Sequence, residues 1–289
     1  MKACITGAGG QLGRSLLQSA PSHIETLGAS HAEVDICEKE RVLEFVARHR
    51  PQVIINAAAY TGVDRAESEP QNAFRANVEG VRNLALAAER VGARLIHVST
   101  NYVFDGEQST PYLPSSTPRP ISVYGQTKYQ GEQVALGVPG KRGIVVRTAW
   151  VYAATGSNFV STMLRLMAER DAVAVVADQV GTPTWAATLA AALWRFAERS
   201  ELHGIYHWTD GGVATWYEFA VAIQEEALAR GLLTRSVPIR ALQTSEYPTP
   251  ARRPRYGVLD TRSSIEALGY GPLPWRDNLR RMLDGMAAP

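Results

Sequence analysis

Short unbroken apolar runs recur along the first half of the chain. They alternate with stretches whose apolar positions fall three and four residues apart. Ala3 to Thr6 reads as a buried strand and Gln11 to Ala20 as a helix. Ile24 to Leu27 is a second strand, and Glu38 to His49 a helix with Val42, Phe45 and Val46 at helical spacing. Val53-Ile54-Ile55 is a third strand. One long helix is predicted from Pro70, well placed at an early helical position, to Val91. Leu95 to Val98 is the next strand, and Ile144 to Val146 another, after a helix that carries Tyr124. Apolar strands alternating with amphipathic helices imply an α/β fold: a Rossmann-like, doubly wound parallel sheet covered on both faces.

Beyond residue 150 the alternation loosens. Helices are expected at Phe159–Arg170, Ala186–Arg199 and Thr215–Arg230, with strands at Ala172–Val176 and Gly204–Trp208. Pro238, Pro248, Pro250 and Pro254 punctuate the C-terminal part. The expected division is a mainly nucleotide-binding domain over 1–150 and a mainly substrate-binding region over 151–289, some of whose segments return to the main sheet. The stretch Tyr102 to Ser122, rich in Pro, Ser and Thr, reads as a long loop of the kind that usually serves function.

Composition narrows the class. The chain has 289 residues, 45% hydrophobic and 20% charged, as expected of a globular protein with a substantial core. A net charge of +2 gives no reason to expect a nucleic-acid partner or a membrane-binding patch. No apolar run approaches the roughly 20 residues of a membrane span. The two cysteines, Cys4 and Cys37, sit beside apolar residues and read as free thiols. Together with a chain that opens directly on a strand, they point to a cytoplasmic protein. His97, His203 and His207 are scattered and read as packing or surface residues, so no metal site is expected.

Two motifs carry chemistry. Gly7, Gly10 and Gly13 follow the first strand and open the first helix, with Gln11 and Leu12 between them. Such a turn brings backbone amides and the positive end of a helix to a pyrophosphate. Tyr124 and Lys128 stand four apart on one helix face. A phenol ordinarily titrates near about 10, and a neighbouring ammonium favours its ionised form. The chain holds only four lysines among 30 basic residues, so a lysine at 128 stands out. A ribose-binding, phenol-tuning ammonium is not replaced by a guanidinium. The pair and the glycine turn together suggest nicotinamide redox chemistry.

Other candidates come from strand ends. The second strand ends Leu27-Gly28-Ala29-Ser30-His31, without the acid that commonly binds an adenosine ribose. Ser30, His31 or Arg14 is free to bind a ribose 2′-phosphate, so NADPH is expected to serve at least as well as NADH. Asp35 and Ile36 lie where an adenine would be met, or Asp35 caps the following helix. Ala57, Ala58, Ala59 and Tyr60 follow the third strand and let a cofactor approach backbone, with Val63, Asp64 and Glu67 nearby. Thr100 ends the fourth strand, where a hydroxyl points into the crevice and can share a substrate oxygen with Tyr124.

Together these segments resemble the extended short-chain dehydrogenase/reductases. The runs Val53 to Glu67, Arg147 to Tyr152, Asp178 to Thr184 and Tyr247 to Pro254 are similar to those of the dTDP-4-dehydrorhamnose reductase family. The resemblance implies reduction of the C4 ketone of dTDP-4-dehydro-L-rhamnose by NADPH or NADH, the last step of dTDP-L-rhamnose synthesis for cell-wall polysaccharide. It implies that Tyr124 donates the proton, that Lys128 holds the nicotinamide ribose and lowers the phenol pKa, and that Thr100 polarises the carbonyl. Val63, Asn101, Tyr102 and Trp150 would shape the sugar pocket, and Arg253 is a candidate for the pyrophosphate. Two departures stand out. Asn101 replaces the family's usual aspartate, and Arg253-Pro254-Arg255-Tyr256-Gly257 departs from Arg-Pro, any residue, Asn-Ser. The helices that hold a bridging magnesium in some dimeric members lack carboxylates here, so a monomer or a metal-free homodimer is expected. The same Tyr–Lys pair serves epimerases and reductases of other nucleotide 4-keto sugars. A relative acts as a non-catalytic subunit of methionine adenosyltransferase, which keeps both alternatives open.

Overall fold

The computed structural model describes residues 1–140 and 142–287. In chain order the first half comprises β1 (Lys2–Thr6), α1 (Gln11–Gln18), β2 (Glu25–Ala29), α2 (Lys39–His49), β3 (Val53–Asn56) and α3 (Val63–Ser68). It continues with α4 (Pro70–Phe74), α5 (Gly80–Val91), β4 (Arg94–Thr100), α6 (Val123–Leu136) and β5 (Gly143–Thr148). The second half adds β6 (Val151–Tyr152), α7 (Phe159–Glu169), β7 (Val173–Val176), β8 (Val180–Gly181), β9 (Thr184–Trp185), α8 (Ala186–Glu198) and β10 (Gly204–His207). It closes with β11 (Ala214–Thr215), α9 (Trp216–Leu228), β12 (Ile239–Leu242), α10 (Arg262–Leu268) and α11 (Trp275–Ala287).

Six strands form one parallel sheet in the order β10-β5-β4-β3-β1-β2. The order reverses direction beside β1, the switch point where doubly wound sheets bind ligands. Every residue of β3 and β5 is buried, which is why their runs Val53–Ile55 and Ile144–Val146 are apolar without alternation. One face packs against α1 and α8, through Leu16, Leu189, Leu193 and Trp194. The other packs against α2 and α5, through Val42, Val46, Val81 and Leu84. Each fully buried Ile or Leu here contributes about 1.5–3 kcal/mol. The strand β10 lies at the sheet edge, although it comes from the second half of the chain. A separate core joins α7, α9, α11 and the small β7–β12 sheet.

Two differences from the sequence reading bear on the site. β2 runs Glu25–Ala29, so the strand reaches two residues further than the apolar run implied. The long helix expected from Pro70 to Val91 is interrupted by a π turn, Arg75–Glu79. That turn carries Asn77, buried, whose amide bonds the backbone of Tyr60 in both directions and the Thr127 hydroxyl. A side chain that must meet the Tyr60 loop and α6 at once sets the local winding there, and such bulges occur often at functional sites.

Candidate active site

A cleft of about 1140 Å³ runs over the C-terminal ends of the sheet strands. That is large against the roughly 300–1,000 Å³ of a typical small-molecule site and leaves room for two bound molecules side by side. Its floor begins at the glycine turn. Gly7 has φ 71°, and a Cβ there would lie 2.6 Å from the Ala58 backbone nitrogen. A Cβ on Gly13 would lie 2.2 Å from the Gly7 carbonyl oxygen. Both positions therefore exclude any side chain, and Gly7, Gly9 and Gly10 present only backbone to the cleft just before α1 begins. Arg14, His31 and Arg75 line the same end, together with Asp35, Ile36, Cys37 and Ala57 to Tyr60.

Three of the expected contacts are already engaged. The Ser30 amide and hydroxyl both donate to the Glu33 carboxylate, at 2.8 and 2.7 Å, and Ser30 does not line the cleft. A carboxylate therefore stands close to the end of β2 after all, three residues later than sequence reasoning sought it. Asp35 accepts the Cys37 amide at 3.0 Å, and Glu38 occupies the N-cap of α2. The Gln11 amide spans the cleft: it accepts from Asn158 at 2.9 Å and donates to the Ser157 carbonyl at 3.3 Å. It thereby ties the glycine turn to the 155–157 segment, which lines the cleft from the other side.

Thr100, Tyr124 and Lys128 line the middle of the cleft together. Thr100 ends β4 and accepts the Tyr102 amide at 3.1 Å. Tyr124 sits in the first turn of α6. The Ser122 hydroxyl accepts the Gly125 amide at 3.2 Å, and the Glu67 carboxylate accepts the Val123 amide at 2.9 Å. Both contacts satisfy orphan donors of the helix N-terminus and fix its start. The Tyr102 ring meets the Tyr124 ring edge-on, with centroids 5.5 Å apart. Burial pushes the Tyr124 phenol up to about 12, against a downward pull from the Thr100 hydroxyl. The shift runs opposite to the lowering expected from Lys128, and burial is its largest cause. A neutral phenol suits a proton donor. Burial also pushes the Lys128 ammonium down to about 8. Lys128 is 2% exposed and donates to the Val98 carbonyl at 2.7 Å.

The opposite wall is built from the second half. Trp150 has φ 46°, a strained conformation for a bulky residue. Its ring stacks on Trp216 with centroids 3.5 Å apart, and a Cβ on Gly181 would lie 2.5 Å from its Cε2. The indole is held between a glycine and a second indole and walls the pocket. Trp216, Thr155, Gly156 and Ser157 line the cleft and escaped sequence reading, because no local pattern joins them to Trp150. Arg253 forms a two-pronged pair with Asp64, at 3.0 and 2.6 Å, and is not among the cleft-lining residues. Its fork joins the tail of the chain to α3 instead of facing the glycine turn.

The two departures noted in the sequence meet in space. Asn101 is buried and its amide donates to the Gly257 carbonyl at 3.1 Å. A Cβ on Gly257 would lie 2.3 Å from that amide nitrogen. Asparagine at 101 and glycine at 257 therefore fit one another, and a carboxylate at 101 would face a carbonyl with no proton between them. Among the described residues no group of His, Cys, Asp and Glu is arranged to hold a metal, and no helix is long and apolar enough to cross a membrane.

The arrangement has close parallels. A dTDP-4-dehydrorhamnose reductase of Aggregatibacter actinomycetemcomitans is 42% identical over 285 residues, spanning 96% of this chain and 97% of that protein. A solved dTDP-4-dehydrorhamnose reductase from Clostridium acetobutylicum superposes with a TM-score of 0.93 at 36% identity, over the whole of both chains. The Bacillus anthracis enzyme, solved in complex with NADP, superposes at 0.91 with 36% identity, over 98% of this chain and 99% of that one. The profile of the RmlD substrate binding domain matches residues 1–288. Since the likeness runs unbroken from the glycine turn through the Trp150 wall to the C-terminal helix, the chain belongs to the dTDP-4-dehydrorhamnose reductase family.

Proposed function

We propose that this protein reduces the C4 ketone of dTDP-4-dehydro-L-rhamnose to dTDP-L-rhamnose with NADPH, or NADH in its place. The observation that carries the reading is the meeting of Thr100, Tyr124 and Lys128 in one cleft with the side-chain-free glycine turn. The residues present fit a dinucleotide. Gly7, Gly10, Gln11 and Leu12 would hold its pyrophosphate, Asp35 and Ile36 its adenine, and Ala57 to Tyr60 and Lys128 the nicotinamide ribose. Arg14, His31 and Arg75 suit a ribose 2′-phosphate. When bound, the reduced nicotinamide supplies hydride to the carbonyl carbon.

This chain's own residues would do the rest. Thr100 and Tyr124 hydrogen-bond the carbonyl oxygen, and Tyr124 gives that oxygen its proton as negative charge develops there. A phenol near about 12 remains protonated through the physiological range and still transfers readily to an alkoxide. Val63, Asn101, Tyr102 and the Trp150–Trp216 stack border the sugar. Arg253 would act on the nucleotide indirectly, by anchoring the 249–257 segment on Asp64. The product would be an activated deoxysugar for polysaccharide assembly, made in the cytoplasm, where the free thiols Cys4 and Cys37 are at home.

The test supplies dTDP-4-dehydro-L-rhamnose, made in situ by an upstream epimerase, and follows loss of nicotinamide absorbance. Wild type and Tyr124→Phe run in parallel with each nicotinamide. Turnover that collapses in the variant supports the reading. A folded protein that binds NADP but turns over nothing would move it to another keto-sugar or a regulatory role.

A further inference from the structure

A chain of buried polar groups leads away from Lys128 beneath the cleft. The Lys128 Nζ lies 3.3 Å from His97 Nε2, and His97 Nδ1 lies 3.0 Å from Asn56 Nδ2. Asn56 Oδ1 accepts both the Thr6 hydroxyl at 2.7 Å and the Ala58 backbone amide at 3.1 Å. His97 and Asn56 are fully buried, and the reaction outlined above uses neither.

The backbone decides where the protons are. The Ala58 N–H can only donate, so the Asn56 atom facing it is the oxygen. The Asn56 NH₂ then faces His97 Nδ1, which must accept. The single proton of a neutral imidazole is left on Nε2, directed at Lys128 Nζ. An N–H directed at an ammonium is repelled; directed at a neutral amine it finds a lone pair. A neutral Lys128 amine fits its surroundings completely. It donates one N–H to the Val98 carbonyl, accepts from His97, and keeps one N–H for the cleft.

We propose that His97 is a positioning residue acting through Lys128: held by Asn56 as the Nε2–H tautomer, it donates to the Lys128 amine and favours its neutral form. The consequence concerns proton return. Once Tyr124 has protonated the product, a proton leaving Lys128 Nζ restores the phenol O–H. The amine left behind accepts the His97 N–H, and solvent later reprotonates it. His97 thus stabilises the form of Lys128 that the cycle creates.

Other groups face Lys128 and act on its charge. Tyr124 lies one turn before it on α6, and Glu132 one turn after. Glu132 favours the ammonium, but its carboxylate is consumed by a two-pronged pair with Arg147 of β5, at 2.8 and 2.7 Å, and by the Ser99 hydroxyl of β4 at 2.5 Å. From β3 and β1 come only the neutral Asn56 and Thr6.

The experiment uses the free protein, uniformly labelled with 13Cε-lysine. Four lysines give four signals, and Lys128→Met assigns one by its loss. Wild-type Lys128 is expected to titrate near about 8, against 10.5 for an ordinary lysine. His97→Asn keeps an oxygen near the Nδ1 position to accept from Asn56 and removes only the Nε2 donor. Asn56→Asp accepts from Nδ1 and so turns the lone pair of Nε2 toward Lys128. Both variants should raise the Lys128 midpoint by about one pH unit or more. The alkaline limb of kcat/KM should move up with it, while circular dichroism stays unchanged. A wild-type midpoint in the ordinary range overturns the proposal. So does a midpoint that stays or falls in whichever of the two variants folds. The inference rests on the reductase reading only for its role in turnover. The titration needs no substrate, so it fails or succeeds apart from that reading.

Discussion

The two walls of the cleft are built differently. The cofactor wall comes from neighbouring strands β1, β2 and β3 and the turns that leave them. It presents mostly backbone, and its key positions are glycines and alanines. The wall assigned to the sugar comes from groups brought together over long stretches of chain: Trp150 with Trp216, and Asn101 with Gly257. The first wall is shaped by what is missing from its side chains, the second by pairs that fit only each other. A change on the first wall should act through one residue, whereas a change on the second should depend on its partner.

The largest effect is expected where the walls meet. Tyr124→Phe should lower kcat by about 10²–10⁴-fold while the dissociation constant for NADPH stays close to wild type. A small loss in kcat would mean that another group donates the proton. Next comes the cofactor wall. Gly13→Ala places a Cβ against the Gly7 carbonyl and should cost about 1–3 kcal/mol of stability, with NADPH binding weakened beyond detection by fluorescence titration. Unchanged binding would break the claim that this wall tolerates no side chain.

On the sugar wall, Gly181→Ala should push the Trp150 indole off its stack. KM for the sugar nucleotide should rise about tenfold, worth roughly 1.4 kcal/mol, with NADPH binding unchanged. Equal losses for both ligands would erase the distinction between the walls. A double-mutant cycle sharpens it. Asn101→Asp and Gly257→Ser should each destabilise the protein, and the double variant should recover about 0.5–3 kcal/mol of the summed loss. Strict additivity in chemical denaturation would show the two positions to be independent. The smallest effect belongs to Glu33→Gln. It loosens Ser30 and removes a negative charge beside β2, so the NADPH-to-NADH preference should rise a few-fold. A fall in that ratio would place Glu33 away from the 2′-phosphate.

Legibility followed the same division. The parallel sheet was readable because strands buried on both faces are built on unbroken apolar runs such as Val53-Ile54-Ile55. The glycine turn and the Tyr124–Lys128 pair were readable because each is a local spacing. Ser30 illustrates the limit. Its engagement by Glu33 is local, but nothing in the letters distinguishes a serine that binds a phosphate from one that binds the carboxylate three residues on. The π turn was missed because Pro70–Val91 has the periodicity of an unbroken helix, and only Asn77's contacts with Tyr60 and Thr127 reveal why it unwinds. His97 looked like a packing residue because its two partners lie on β3 and α6.

By itself the sequence determined the main parallel strands and most of the helices that cover them, the turn at the start of α1 and the spacing of Tyr124 and Lys128. Those depend on side-chain periodicity, on glycine's missing Cβ and on groups within one helical turn. The tertiary structure alone decided the direction in which the pKa values of Tyr124 and Lys128 move and the shape of the Trp150 wall. Burial raises Tyr124 and lowers Lys128, and burial belongs to the packed whole. Asn101 meets Gly257 only because the chain returns after 156 residues, a contact whose ends carry no mark of each other until the fold brings them within 3.1 Å.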